Sequence, residues 1–125
     1  MKRLVVDAGV IASWFGINGA GRHLREEYEA GSLVVIGPSH LPDEVLQHLD
    51  SLEADDLARV ASELRRLRFE LQRPPVRELA RWVQHGLPSH RAAYLALATH
   101  LDLALATDDP NLLSASPAAR TPDRT

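Results

Sequence analysis

The chain contains no cysteine, and this absence removes three kinds of site at once. With no Cys among its 125 residues, the protein has no disulfide framework, no thiolate metal site and no cysteine nucleophile. We therefore expect any chemistry to depend on oxygen and nitrogen side chains.

Long apolar runs are also missing. The N-terminus has only three apolar residues between Arg3 and Asp7, which is too short for the apolar part of a signal peptide. No segment approaches the roughly 18 consecutive apolar residues of a membrane span. We therefore expect a cytoplasmic protein with no membrane partner.

The net charge is small as well. A formal charge of −3 makes no case for a strongly basic binding protein, although a local basic patch can still bind nucleic acid. The length suits one domain with a core of ordinary size. We predict a single domain over residues 1–115 and a tail, residues 116–125, that is rich in Pro, Ala and charge and frays.

Three short runs of branched apolar residues predict buried strands, at residues 4–6, 33–36 and 103–106. Helical patterns lie between and after them, at residues 8–15, 22–30, 42–49, 51–71, 76–83, 91–100 and 111–115. Glycines at positions 16, 19 and 21 are expected to break the first helix. Strands that alternate with helices predict an α/β sandwich with a mostly parallel sheet.

Three acidic residues share a place in this predicted fold. Asp7 and Asp109 each follow a strand, and Glu44 lies near the start of the helix after another. Because parallel strands end at the same edge, where open α/β sheets bind ligands, we expect the three carboxylates to converge. Converging carboxylates need a cation, and oxygen ligands suit Mg²⁺ or Mn²⁺. Such a site can activate water against a phosphodiester, which is nuclease chemistry.

Each acid also has a simpler interpretation. Asp7 can cap the following helix, Glu44 can be an acid that favours a helix start, and Asp109 can belong to a turn before Pro110. A structural α/β domain with no metal is the corresponding alternative for the whole chain. It would be supported if Asp7 and Glu44 lay far apart.

The order of motifs resembles the PIN-domain nucleases, and most closely the VapC-type toxins of bacterial toxin–antitoxin modules. The pieces that carry the resemblance span nearly the whole chain: Val5-Val6-Asp7-Ala8, then Trp14-Phe15; Pro38 followed by Glu44-Val45; Ala92-Ala93-Tyr94-Leu95-Ala96-Leu97-Ala98; and Leu105-Ala106-Thr107-Asp108-Asp109-Pro110-Asn111-Leu112. The resemblance implies a PIN-like α/β fold, Mg²⁺-dependent endoribonuclease activity, homodimers, and an antitoxin that inserts near the active edge. It also implies that Asp7, Glu44 and Asp109 are catalytic metal ligands.

One position departs from the family pattern. The buried helix begins His90-Arg91-Ala92, so Arg91 stands where the family has an aspartate. A cation in the first turn of a helix is disfavoured by roughly 0.3–1 kcal/mol, and we therefore expect Arg91 to have a partner among the site's own carboxylates. A guanidinium there would weaken or replace Mg²⁺ binding.

Other residues could take over the missing ligand. Asp102 is too far away, about 16 Å along the helix, whereas Asp108 adjoins Asp109 and is the better candidate for a fourth metal ligand. His90 could donate a nitrogen, although Mg²⁺ prefers oxygen.

Two further patterns leave alternatives open. His40, Glu44 and His48 are spaced four residues apart, which could suggest zinc, but Pro42 argues against a continuous helix that includes His40. The middle of the chain is rich in arginine and could track phosphate, or it could be a solvated face balanced by acids; the arginines are at positions 59, 65, 66, 68, 73, 77 and 81.

The leading hypothesis is therefore a VapC-like, metal-dependent ribonuclease that hydrolyses RNA and is regulated by an antitoxin. Its rival is a PIN-fold protein that has lost catalysis and serves as a binding or regulatory module. This second hypothesis depends entirely on Arg91, which stands where the family has an aspartate.

Overall fold

A computed structural model describes residues 1–16 and 21–125 and contains a five-stranded sheet with helices packed around it. The strands are β1 (Lys2–Val6), β2 (Leu33–Pro38), β3 (Glu70–Gln72), β4 (Leu105–Ala106) and β5 (Ala119–Arg120). The helices are α1 (Ala8–Ser13), α2 (Arg22–Glu29), α3 (Leu41–His48), α4 (Ala54–Arg66), α5 (Val76–Gln84), α6 (Ser89–Leu101) and α7 (Pro110–Ala115), followed by a 3₁₀ helix at Pro122–Arg124.

The centre of the sheet is formed by the branched residues that predicted it. Val5 in β1 pairs with Ile36 in β2 on one side and with Leu105 in β4 on the other. All three side chains are fully buried, as is typical of parallel strands that are covered on both faces. The prediction of an α/β fold with a parallel central sheet is confirmed.

The strand order, β3-β2-β1-β4-β5, determines where the strand ends meet. Every pairing is parallel. The chain runs from β1 to β2 and β3 on one side, and returns past β1 to β4 and β5 on the other. Right-handed crossovers in opposite directions place their helices on opposite faces. The order reverses between β1 and β4, and the crevice outside such a reversal is where open α/β sheets bind ligands.

Helix α6 is the buried helix of the structure. Its residues from Ala92 to Ala98 are all buried, because α6 packs against β1, β2 and β4 on one side and α5 on another. The alanines let the helix approach the sheet closely. Leu95 and Leu97 each contribute roughly 1.5–3 kcal/mol through burial. The tight packing gives the first turn of α6 a defined position at the sheet edge.

The predicted helix over residues 51–71 is too long. Helix α4 ends at Arg66, the backbone of Leu67 is extended, and Leu71 belongs to β3. Leu67 and Leu71 continue the helical spacing of apolar residues, but the backbone from Glu70 to Gln72 instead pairs with β2. Tertiary pairing therefore overrides the local pattern, and Leu71 is exposed.

The predicted frayed tail, residues 116–125, instead contains β5 and the 3₁₀ helix. Backbone N–H groups of Leu105 and Thr107 donate to carbonyls of Ala118 and Arg120, so the segment completes the sheet. The glycine break predicted at positions 16, 19 and 21 falls partly on residues 17–20, which lie outside the described residues. Within the described ranges, no helix is both long and apolar enough to cross a membrane.

Gly37 at the end of β2 is expected to tolerate no side chain. A Cβ there would lie 2.5 Å from Leu41 Cδ2 and 3.3 Å from Leu41 Cβ, and Leu41 is fully buried and has little room to move. We expect Gly37→Ala to lower the free energy of unfolding by roughly 1–3 kcal/mol, measured by urea denaturation. In the control Gly16→Ala, the nearest atom is Ser13 O at 3.8 Å, so a change within about 0.5 kcal/mol is expected. Equal stability of the two variants would contradict this interpretation.

Candidate functional site

Asp7 and the segment from Thr107 to Asp109 lie side by side where the strand order reverses. Val6 pairs with Ala106, and the backbone N–H of Asp7 donates to the carbonyl of Ala106 at 3.0 Å. The residues that follow β1 and β4 are therefore level at the carboxyl edge of the sheet. Asp7 is buried although it is charged, which requires compensating partners.

Glu44 reaches the same edge from α3. Strand β2 ends at Pro38, and α3 begins three residues later, so Glu44 lies in the first turn of the helix. Its backbone N–H donates to the carbonyl of His40, and its side chain is almost completely buried. Asp7 and Glu44 are therefore both turned away from solvent, at the ends of neighbouring strands.

Arg91 joins the three predicted ligands. Its Nη2 donates to Asp7 Oδ2 at 2.7 Å, and its Nη1 donates to Asp7 Oδ1 at 2.9 Å. Asp109 Oδ2 accepts from Nε at 3.0 Å and lies 2.8 Å from Nη2, and Glu44 Oε2 lies 3.5 Å from Nη1. Only 13% of the Arg91 side chain is exposed. The expected convergence of the three acids is confirmed, and so is the expectation that Arg91 is paired with them.

Other polar groups also contact the oxygens of these three carboxylates. Thr107 Oγ1 donates to Asp7 Oδ2 at 2.6 Å, and Tyr94 Oη donates to Glu44 Oε1 at 3.1 Å. The Nε2 of His40 lies 2.8 Å from the same Glu44 oxygen and 3.0 Å from the carbonyl of His90. Both neighbours of Nε2 are acceptors, so this nitrogen carries the proton. Asp109 Oδ1 accepts from the backbone N–H of Asn111, which caps α7.

Electrostatics stabilises the ionised form of Arg91. Burial alone would favour the neutral form, but hydrogen bonds to Asp7 and its charge, followed by the charge of Asp109, raise the pKa of Arg91 above its ordinary value. One guanidinium opposes three carboxylates, so two formal negative charges are left uncompensated. Burial, followed by the charges of Glu44 and Asp7, raises the pKa of Tyr94 far above its ordinary value. Tyr94 is thus a neutral donor at all physiological pH values.

Asp7, Glu44, Arg91 and Asp109 line an open cleft of about 570 Å³. Gln47, His48 and Asp108 are among the other residues that line it. Partial burial, together with the charges of Asp7 and Asp123, raises the pKa of Asp108. Asp108, the predicted substitute for a fourth ligand, therefore shares the cleft but is not among the acids that Arg91 contacts.

The residues present do not fit a bound Mg²⁺ in this conformation. All six side-chain oxygens of Asp7, Glu44 and Asp109 already accept hydrogen bonds or contact the guanidinium. In residues 1–16 and 21–125, no three His, Asp or Glu side chains are arranged to hold a metal ion. The zinc site suggested by His40, Glu44 and His48 is not formed among these residues either, because His40 pairs with Glu44 while the ring of His48 lies beside Gly9.

The sequence pattern did not identify the roles of Thr107 and Tyr94 as hydrogen-bond donors to the acids, or the contact of His40 with Glu44. The position of Thr107 could have been predicted, since Thr107 follows β4 directly and therefore lies at the same sheet edge as Asp7. Tyr94 follows Arg91 by one helical turn, which places both on one face of α6. The contact of His40 depends on the turn between β2 and α3, which periodicity does not predict.

Comparison with known proteins supports the fold. No protein-family model matches the chain, and no curated protein matches it. Among solved structures, it is similar to the crystal structure of PAE2754 from Pyrobaculum aerophilum, with a TM-score of 0.72 and 23% sequence identity. The similarity covers 99% of this chain and 91% of that chain. At this identity, the likeness shows a shared fold and nothing about activity.

Thr107→Val is expected to destabilise the protein without changing its shape. The variant removes the donor to Asp7 Oδ2 and the acceptor for the Asp109 N–H, and the side chain of Thr107 is fully buried. We expect a loss of roughly 1–3 kcal/mol in the free energy of unfolding, measured by urea denaturation. The control is Thr99→Val, a half-buried threonine near the end of α6, and a similar loss there would contradict the assigned role of Thr107.

Tyr94 is expected to make stability depend on pH under alkaline conditions. In the unfolded chain Tyr94 ionises near pH 10, whereas its raised pKa keeps it protonated in the fold. Above about pH 10 the folded state therefore binds more protons, and stability falls as pH rises. Tyr94→Phe lacks this contribution. The stability difference between wild type and Tyr94→Phe should be roughly 1.5–3 kcal/mol at neutral pH and should shrink above about pH 10; parallel pH profiles would refute the assignment.

Proposed function

We propose that this chain is a PIN-like domain of the VapC type in which Arg91 has taken the place of the metal. In this proposal RNA hydrolysis is weakened or lost, and the domain acts as a binding or regulatory module. The observation that supports it most is the guanidinium of Arg91, which contacts Asp7, Glu44 and Asp109 at once.

The nuclease ancestry in this proposal has separate support. Three carboxylates from β1, α3 and the end of β4 converge where the strand order reverses, as the motif resemblance implied. A structural domain with no ligand would have no need to gather buried acids at this edge. The alternative in which Asp7 and Glu44 lie far apart is excluded by their shared contact with Arg91.

The loss of metal chemistry is supported by the cost of moving Arg91. A cation bound among the three acids would have to displace the guanidinium from Asp7, where it forms two parallel hydrogen bonds. Such bidentate pairs are among the strongest in proteins. Breaking a buried ion pair costs roughly 3–5 kcal/mol when one partner is left alone, so a metal must offset this penalty before it binds.

The cleft still carries negative charge, and this suits a positively charged partner. Arg91 leaves two of the three carboxylate charges uncompensated, and Asp108 lines the same cleft. A basic segment of an antitoxin protein is the kind of partner that would bind there, and in this proposal it regulates the domain. A homodimer remains a prediction from the resemblance.

The second candidate is the leading hypothesis from the sequence, a Mg²⁺- or Mn²⁺-dependent endoribonuclease. The specific observation in its favour is that Asp108 lines the cleft that contains Asp7, Glu44 and Asp109. If Arg91 moved out, four acids would be available. The two candidates therefore differ in a single measurable quantity, the affinity of the native protein for a divalent ion.

Titration of Mn²⁺ by calorimetry separates the two candidates. We expect no saturable binding to the native protein and clear binding to Arg91→Asp, with a gain of at least about a hundredfold. The reason is that a positive charge within about 4 Å of the ion is replaced by a negative one, which changes the interaction by several kcal/mol at an effective dielectric constant of about 20. The neutral variant Arg91→Gln should bind with intermediate affinity and covers the case in which Arg91→Asp fails to fold.

The matched control is Arg77→Asp, the same substitution at an exposed arginine in the first turn of α5, and it should gain no affinity. Cleavage of single-stranded RNA should follow the same order, with native protein no more active than Asp7→Asn. Native activity that depends on Mn²⁺ and is abolished by Asp7→Asn would reject our proposal and establish the second candidate.

A further inference from the structure

A second pocket lies at the same sheet edge, next to the acidic cleft. It has a volume of about 350 Å³ and is bordered by the turn from β2 to α3, the turn after β3, and the facing sides of α5 and α6. His90 lines both the pocket and the acidic cleft. The side chain of His40, which binds Glu44 in the cleft, is also part of the pocket wall. The two cavities are therefore neighbours with shared walls.

The chemistry of this pocket is opposite to that of the cleft. No aspartate or glutamate lines it. The polar residues that line it are Arg73, His40, His90, Ser39 and Ser89. Arg73 follows β3 directly and is exposed, and it forms no salt bridge with the residues that the structure describes.

The other arginines of the middle segment differ from Arg73. Arg59 pairs with Asp56, and Arg81 lies within 3.8 Å of Glu78, as expected for a solvated face. Arg65 and Arg66 lie in the last turn of α4, before β3 and therefore toward the opposite edge of the sheet. Among these arginines, which the sequence suggested as a phosphate-binding surface, Arg73 both lines a pocket and forms no salt bridge with the described residues.

The remaining walls of the pocket are apolar. They are formed by Pro38, Pro74, Leu79 and Ala93. Proline rings and a leucine offer a surface for a flat ring but no hydrogen bond to an inorganic anion. A ligand that matches both halves has an aromatic ring for the apolar walls and an anion for Arg73, and a nucleotide has this combination.

We propose that this pocket is a nucleotide subsite, with the base against the apolar walls and the phosphate at Arg73. The inference deepens the proposed function and rests on it. It assigns nucleic acid to the pocket that no carboxylate lines, where Arg73 supplies a positive charge for the phosphate. The shared chemistry is a nucleoside monophosphate unit, either free or within single-stranded RNA.

Calorimetric titration of the native protein without metal tests the subsite, with adenosine 5′-monophosphate, a short oligoadenylate and inorganic phosphate as probes. We expect one or both adenine probes to bind more tightly than inorganic phosphate. Arg73→Gln should weaken this binding at least about tenfold, equivalent to about 1.4 kcal/mol. The matched control, Arg77→Gln, removes an exposed arginine that does not line the pocket and should leave the affinity within about twofold.

The outcomes distinguish the source of the nucleotide. Binding of both adenine probes supports a subsite that accepts a free or terminal nucleotide, and binding of the oligoadenylate alone supports one that holds an internal nucleotide. The inference is overturned if neither binds at about millimolar concentration, if phosphate binds as tightly, or if Arg73→Gln and Arg77→Gln behave alike. None of these readouts depends on divalent ions, so a failure of the subsite can be distinguished from a failure of the proposed loss of metal binding.

Discussion

The ion pairs between Arg91 and the carboxylates of Asp7, Glu44 and Asp109 are the interaction on which this sheet edge depends. Buried carboxylates at such short range repel one another, and the fold tolerates them only if a cation lies between them. Here the cation is covalently part of the chain. Its supply does not depend on metal concentration, and its geometry is determined by the packing of α6 against the sheet.

This arrangement links the most buried helix to the most polar part of the molecule. Residues Ala92 to Ala98 determine the position of α6, and Arg91 immediately precedes them. The guanidinium can therefore reach three elements without a long flexible segment. Thr107 and Tyr94 supply two further donors to the acids, and Nε2 of His40 lies beside Glu44. The site is consequently a hydrogen-bond network in which every carboxylate oxygen has a partner.

Much of this could be predicted from the sequence, and the failures have physical causes. The central strands and α6 carry dense apolar runs, which are typical of elements buried on all sides. These runs predict the parallel sheet, and the sheet predicts the convergence of Asp7, Glu44 and Asp109. The short strands β3 and β5 carry almost no apolar signal, because strand identity there comes from pairing with β2 and β4. Helix α4 was predicted too long for the same reason.

The partner of Arg91 was predictable because a cation in the first turn of a helix opposes the helix dipole. Which oxygens it would contact was not, since that depends on side-chain positions set by three separate elements. The pocket around Arg73 could not be predicted from the sequence either. It is formed by two turns and two helices that are brought together by β3, and β3 itself had been assigned to a helix.

Strand β5 is linked to the acidic site through Thr107. The backbone N–H of Thr107, whose hydroxyl binds Asp7, donates to the carbonyl of Arg120. This contact uses only main-chain atoms, so it does not depend on the exposed side chain of Arg120, whereas the side chain of Ala119 is buried in the core. Removing residues 119 and 120 would take away the strand that pairs with β4, whereas replacing the exposed side chain of Arg120 would leave the main-chain contact in place.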